Sequence, residues 1–398
     1  MKNRSIETEI VHAGTRQPMP EGLPNSTPLF TSSTYGFSSM EEAERVFSGE
    51  LDDFIYSRYG NPTVAALQES VRVLEGGAAA RAFSSGMAAL HAALLVCDLK
   101  PGSVILESRD LYGATFALIS NIFGPFGVET QQADFANLAE LRERSAEFKP
   151  QVLLAETISN PLLKVLDVAA VAEIAHSVGA RLVVDSTFAT PYLSRPIEHG
   201  ADIVVHSATK YLGGHGDATG GIVVVRDAAD EPALTTAMKL VGGVLSVWEA
   251  HHIARGIHTL ALRLDKQCAN AEKLADALSG DPRISKVHYP KFAGDGAANR
   301  VLRPGLYGAL VSIALADDSR EAAWKFMNAL DLIVRATTLG DVFTTVSHSA
   351  TSSHRELSPE RRAELGIGDG LVRISVGIEN IDDILADIDQ ALDKALSN

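Results

Sequence analysis

Between residues 81 and 226 the chain repeats one pattern: a short apolar run, a polar turn, then a stretch that is often helical. RAFSS (81–85), SVILES, VETQQAD, PQVLLAET, RLVVDS, ADIVVHS and GGIVVVR are the runs. Most are apolar along their length, which marks strands covered on both faces, and separation by helices is what parallel pairing requires. GMAALHAALLVC and DVAAVAEIAHSVG read as two covering helices, the second with Asp167 as its N-cap and Gly179 as its stop. Residues 61–256 are therefore expected to form an α/β unit around a mostly parallel sheet. Ligands of such sheets bind outside the carboxyl ends of the strands.

The flanks read differently. Residues 1–60 look like an irregular arm, with Pro18, Pro20, Gly22, Pro24 and Pro28 and one helical piece near SMEEAERVF. An arm with little core of its own is expected to lie on a neighbouring subunit. From residue 257 to 398, TLALRLDKQCANAEKLADAL leads into a smaller α+β region with YGALVSIAL and LVRISVGI as strands and IDDILADIDQALDKAL as a closing helix. A formal charge of −15 argues against nucleic acid or an anionic membrane as a partner. No run approaches the ~20 apolar residues of a membrane span, and the first residues lack the apolar core of a signal peptide. Cys97 and Cys268 lie far apart with no metal-ligand spacing, so buried free thiols, a cytoplasmic setting and no metal site are expected.

Three strand ends concentrate chemistry. Asp185 closes one apolar run, and Ser207, Thr209 and Lys210 follow another, ahead of the glycine-rich YLGGHGDATGG. A lone lysine beside glycines is ordinarily a surface turn residue, and a lone aspartate after a strand is ordinarily a cap. Together, at the ends of two successive buried strands, they match the needs of a pyridoxal phosphate (PLP) site. The lysine amine condenses with the cofactor aldehyde, and an acid pairs with the pyridinium nitrogen. Ser207 and Thr209 alternate in one extended segment, so both hydroxyls are expected to face a phosphate. Ser85, Gly86 and Met87, where a strand feeds a helix, are placed for phosphate binding by helix N-terminal amides. Arg373, between apolar neighbours in a strand, is costly to bury without an anionic partner.

The string VDSTFATPYLSRPIEHGADIVVHSATKYLGGHGD resembles the signature of the PLP-dependent enzymes of cysteine and methionine metabolism, and the resemblance runs from about residue 6 onward. It implies the aspartate aminotransferase-like fold (fold type I) and chemistry at the α, β and γ carbons of a small amino-acid substrate. It implies that Gly86 and Met87 hold the PLP phosphate, and that Tyr112 stacks on the ring and assists proton transfer. Asn160 would bond the cofactor's 3-oxygen, with Glu156 structural. Arg373 would bind the substrate α-carboxylate, with Thr338 and Asn160 beside it. Tyr56 and Arg58, in YSRYGNPT, would reach the neighbouring subunit's cofactor phosphate. That requires at least a homodimer, and the resemblance implies a tetramer.

Departures from the pattern bear on the subtype. Cystathionine enzymes carry an arginine where this chain has Ala117 and a glutamate where it has Thr337, and both losses argue against cystathionine as substrate. Ala114 replaces a cysteine of many methionine γ-lyases, Ser349 replaces a proline, and Ser186 replaces an asparagine. The first expectation is γ-elimination on methionine, homocysteine or a related amino acid, giving 2-oxobutyrate, ammonia and a thiol. The alternative is transfer of sulfide or a thiol to an O-acylhomoserine, or a cystathionine γ-synthase-like replacement. A non-enzymatic PLP binder is disfavoured by the intact Lys210, Asp185, Tyr112 and Arg373. No GxGxxG follows the first strand, and GGHGDATGG lacks the GK[ST] of a nucleotide phosphate loop.

Overall fold

The computed structural model describes residues 4–14, 24–294, 296–355 and 357–396. Pro18, Pro20 and Gly22 of the expected arm lie outside the described residues. The sequence runs form a seven-stranded sheet: β1 (Ala79–Phe83), β2 (Val104–Ser108), β3 (Glu129–Ala133), β4 (Val152–Glu156), β5 (Arg181–Asp185), β6 (Ile203–Ser207) and β7 (Gly221–Val225). Their order is β1-β7-β6-β5-β4-β2-β3. All adjacent pairs are parallel except those of β7, which runs antiparallel to both β1 and β6.

Burial explains why these strands lack polar alternation. Leu182 and Val184 of β5 join one apolar layer with Leu67, Val71 and Leu74 of the helix Pro62–Glu75. Val183, between them, points into the opposite layer with Leu90 and Leu94 of the helix Gly86–Val96. Both faces of β5 are thus covered, and its polar residues, Arg181 and Asp185, sit at its two ends.

A second sheet holds β8 (Ile284–His288), β9 (Leu310–Leu315), β10 (Val334–Arg335), β11 (Thr345–His348) and β12 (Leu371–Ser375) in the order β10-β11-β12-β9-β8. β9 and β12 were legible as strands. β8, β10 and β11 are short or polar (ISKVH, VR, TVSH) and give little periodic signal. One face, with Val311, Ile313, Val372 and Ile374, packs on the helices Leu260–Leu278, Arg320–Ala329 and Ile381–Leu396. Arg373 alternates onto the other face, paired in register with Ser312 and Ser347. That polar face meets the first sheet: the Ser312 hydroxyl donates to the Pro161 carbonyl at 2.7 Å.

Candidate active site

Where the carboxyl ends of β4, β5 and β6 meet the second sheet lies a cavity of about 550 Å³. Ser85, Gly86, Met87, Tyr112, Asn160, Asp185, Ser207, Thr209, Lys210 and Arg373 all line it, so ten of the residues singled out in the sequence converge on one space. Thr338 sits at its edge, and its hydroxyl accepts from Lys210 Nζ at 3.1 Å. Gly340 (φ +86°) permits this approach: a Cβ there would lie 2.6 Å from the Tyr211 nitrogen.

Each side chain is placed by local structure. Ser85 caps the helix Gly86–Val96 by accepting from the Ala88 amide, which leaves Gly86 and Met87 as first-turn residues whose N–H groups no helical carbonyl can satisfy. Gly86 is required by proximity: a Cβ would stand 2.8 Å from Ser207 Cβ. Asp185 Oδ1 accepts from the Thr187 amide at 2.9 Å and the Thr187 hydroxyl at 2.5 Å. Among the described residues Oδ2 has no donor, which leaves it open to a cationic partner. Removal from water pushes the Asp185 carboxyl above its ordinary range, against the pull of the Thr187 bonds; a cation beside it would restore the charge.

Lys210 is held below the ordinary lysine range by burial first and by the Arg373 charge second. Arg373 is almost fully buried, and desolvation pushes its pKa down to about 10, so it remains a cation at neutral pH. Its Nη1 donates to Asn160 Oδ1 at 2.8 Å, its Nη2 reaches the Thr338 carbonyl at 3.4 Å, and its buried Nε has no partner among the described residues. A planar guanidinium so placed is suited to a carboxylate.

One placement differs from expectation. Thr209 does not continue the alternation of β6, which ends at Ser207. It lies in the following turn, where its hydroxyl bridges the Gly220 amide and carbonyl, though it still lines the cavity. Asn160 is turned to Arg373. Tyr56 and Arg58 lie outside this chain's cavity lining, with Arg58 donating to the Lys239 carbonyl at 2.5 Å and stacking 4.7 Å from the Tyr59 ring. Ser186 is fully buried, and its hydroxyl pairs with that of Thr157 at 2.9 Å beneath the site.

Thr187, Ser353 and Arg355 of the wall were not singled out in the sequence. Thr187 orients Asp185, and the Asp-x-Thr spacing was a readable signal for such a turn. Glu156, read as structural, lines the cavity and accepts from the Tyr112 amide at 2.6 Å; burial first and the nearby Asp185 second hold it well above its ordinary range. Ser353 and Arg355 close another wall, and no local pattern announced them.

A family profile described as Cys/Met metabolism PLP-dependent enzyme matches residues 7–393. The chain belongs to this family. Among members of the Cys/Met metabolism family it is 42% identical over 390 residues to an L-methionine gamma-lyase of Pseudomonas putida, covering 97% of this chain and 96% of that one. It is 39% identical over 397 residues to an O-succinylhomoserine sulfhydrylase of Pseudomonas aeruginosa, covering 98% and 96%. The crystal structure of a cystathionine gamma synthase from Xanthomonas oryzae pv. oryzae in complex with aminoacrylate and cysteine matches with a TM-score of 0.92 at 34% identity, covering 99% of each chain.

The family's cofactor is PLP, and the cavity fits it on three counts. First-turn amides of Gly86 and Met87 stand beside Ser207 for an anionic group, with Thr209 also in the lining. Asp185 Oδ2 is open to a cation, and Lys210 supplies a buried amine of lowered basicity. No helix is long and apolar enough to cross a membrane among the described residues, and no cluster there is suited to a metal ion.

Proposed function

We propose that the chain catalyses γ-elimination on a sulfur-containing amino acid of the methionine or homocysteine type, releasing 2-oxobutyrate, ammonia and a thiol. The observation that carries this reading is the sharing of one cavity by Lys210, Tyr112 and Arg373, with Thr337 in the wall and Ala117 outside it where cystathionine enzymes carry charged residues. Methionine gamma-lyases among the relatives support it.

Bound PLP supplies an electron sink that acidifies the α and β positions of the amino acid. Arg373 binds and orients the substrate α-carboxylate. The Lys210 amine, neutral at lower pH than an exposed lysine, takes the α-proton and carries protons along the substrate's carbon chain. Asp185 holds a proton on the ring nitrogen through its charge. Tyr112, at the cavity wall, positions a phenol for the departing group. Tyr56 and Arg58 serve the cavity of a second copy in this reading, so the working enzyme is at least a homodimer and a tetramer is expected.

A second reading, replacement at the γ carbon of an O-acylhomoserine, is favoured by Arg355 in the cavity wall and by the sulfhydrylase relative. The test uses PLP-loaded protein. L-methionine or L-homocysteine alone is followed for 2-oxobutyrate, and O-acetyl- or O-succinylhomoserine with sulfide is followed for homocysteine. Fast 2-oxobutyrate release without an ester is expected. Homocysteine formation with little 2-oxobutyrate overturns the lyase reading in favour of the transferase.

A further inference from the structure

We propose that Asp341 is a positioning residue for Lys210: a carboxylate buried behind the amine that favours a positive charge on it, against the charge of Arg373. This rests on the reading of Lys210 as the reacting amine and is the same for elimination and replacement.

Asp341 is 1% exposed, and neither of its carboxylate oxygens has a hydrogen-bond partner of good geometry among the described residues. A buried carboxylate left this way is costly and calls for a compensating role. It lies outside the cavity lining, so contact with a substrate does not account for it. Arg263, from the helix Leu260–Leu278, is also buried, but it does not cap the acid. Its Nε donates to the Thr259 hydroxyl at 3.2 Å, its Nη2 donates to the Gly256 carbonyl at 2.8 Å, and its Nη1 has no partner among the described residues.

The acid is built onto the turn that carries Lys210. The Thr338 hydroxyl accepts from Lys210 Nζ at 3.1 Å, and the Val342 amide donates to the Gly214 carbonyl at 3.0 Å. The Gly214 amide in turn donates to the Lys210 carbonyl at 2.8 Å. Asp341 thus lies within a segment tied to the Lys210 turn on both sides of it. Gln267 Nε2 donates to the Asp341 carbonyl at 2.8 Å, which fixes the backbone of the acid itself. Gly216 (φ +70°) leaves room for the carboxylate: a Cβ there would stand 3.3 Å from Asp341 Oδ2.

The charges around Lys210 give the acid its role. Burial is the largest influence on the amine and Arg373, from β12, is the second; both favour the neutral form, and Asp341 opposes them. The other titratable groups of the cavity wall are Tyr112, Glu156, Asp185 and Arg355. Glu156 is held well above its ordinary range, and Asp185 is bonded to Thr187. Seen from the acid, burial raises the Asp341 carboxyl above its ordinary range. Lys210 is the first group to pull it back down, followed by the Gly216 amide and His215, while Asp217 pushes it up. The two groups are therefore coupled, and removal of the acid leaves the amine to burial and to Arg373.

The test follows the absorption of the bound cofactor against pH in PLP-loaded protein, which reports the proton on the Lys210 nitrogen. In Asp341→Asn the midpoint is expected to fall by about one unit, the low end for loss of an opposite charge because the two groups are not hydrogen-bonded. Asp341→Glu, which keeps the charge, should bring the midpoint back towards the wild type. The same downward shift is expected without cofactor, in the pH dependence of Lys210 acetylation by acetic anhydride in the apoprotein, read by mass spectrometry. A folded Asp341→Asn protein with wild-type midpoints overturns the proposal and leaves Asp341 a structural acid. Where the Asn variant does not fold, Asp341→Ser, smaller and with room for a water, carries the same expectation and the same refutation. Failure of the underlying reading shows elsewhere: borohydride would then fix no cofactor to Lys210, and the acetylation would still test Asp341. Absence of 2-oxobutyrate bears on elimination alone and moves neither midpoint.

Discussion

Arg373 Nη1 and Asn160 Oδ1 meet at 2.8 Å across the seam between the two sheets, one on β12 and the other just beyond β4. The bond fixes the guanidinium plane before any substrate arrives. Arg373→Lys keeps the charge but loses the fork and strands the Asn160 oxygen. KM for the amino acid is expected to rise about 100-fold with a smaller change in kcat. Steady-state kinetics on the PLP-loaded variant measure this, and an unchanged KM removes Arg373 from carboxylate binding.

Lys210→Ala should remove both the proton carrier and the covalent anchor. Turnover is expected to fall by at least about a thousandfold, and borohydride treatment should no longer fix cofactor to the chain. The circular dichroism spectrum should be preserved, since the only hydrogen bond of Lys210 Nζ among the described residues is to Thr338. Retained turnover would move the chemistry to another amine.

Gly86→Ala places a methyl group 2.8 Å from Ser207 Cβ, at a point where backbone carries both partners. The helix start has to move away from the end of β6, at a cost of about 1–3 kcal/mol. Cofactor affinity should drop about tenfold, because the first-turn amides move with it. Gly280→Ala, which meets nothing within 4 Å, is the control. Fluorescence titration with PLP distinguishes the two.

Glu107 is buried on β2, and desolvation pushes its carboxyl up to about 7, partly offset by a hydrogen bond with Gln132. Its folded-state pKa lies above the unfolded value, so the folded chain binds the extra proton. Its contribution to stability is full below about pH 4.5 and is lost as pH rises through about 7. Glu107→Gln should remove this loss and gain on the order of 2–3 kcal/mol at pH 8 relative to the wild type. Urea unfolding at pH 5 and pH 8 measures it; equal effects at both values exclude the titration.

The legible part of the molecule was the part whose environment is uniform. Strands such as RLVVD, covered on both faces, have one sequence solution, and all seven runs became strands. The antiparallel course of β7 was not written in GIVVV, because direction depends on which loop returns the chain. Site residues at strand ends, such as Asp185 and Lys210, stood out because a polar residue there contradicts the apolar run before it. Arg355 and Ser353 gave no such contrast. They belong to a polar loop whose approach to Tyr112 is decided by how two distant sheets meet. Thr209 reached the cavity by a turn rather than by strand alternation, so the right residue followed from the wrong periodicity.

The cavity draws its walls from positions as far apart as Ser85 and Arg373. On a ribosome, the phosphate-binding helix start and the Lys210 turn emerge long before the strand that supplies the second sheet's arginine. The pocket can therefore be complete only once synthesis has passed Arg373. Capture of the cofactor becomes a late event in the life of each molecule, and it seals together segments that had no earlier reason to meet.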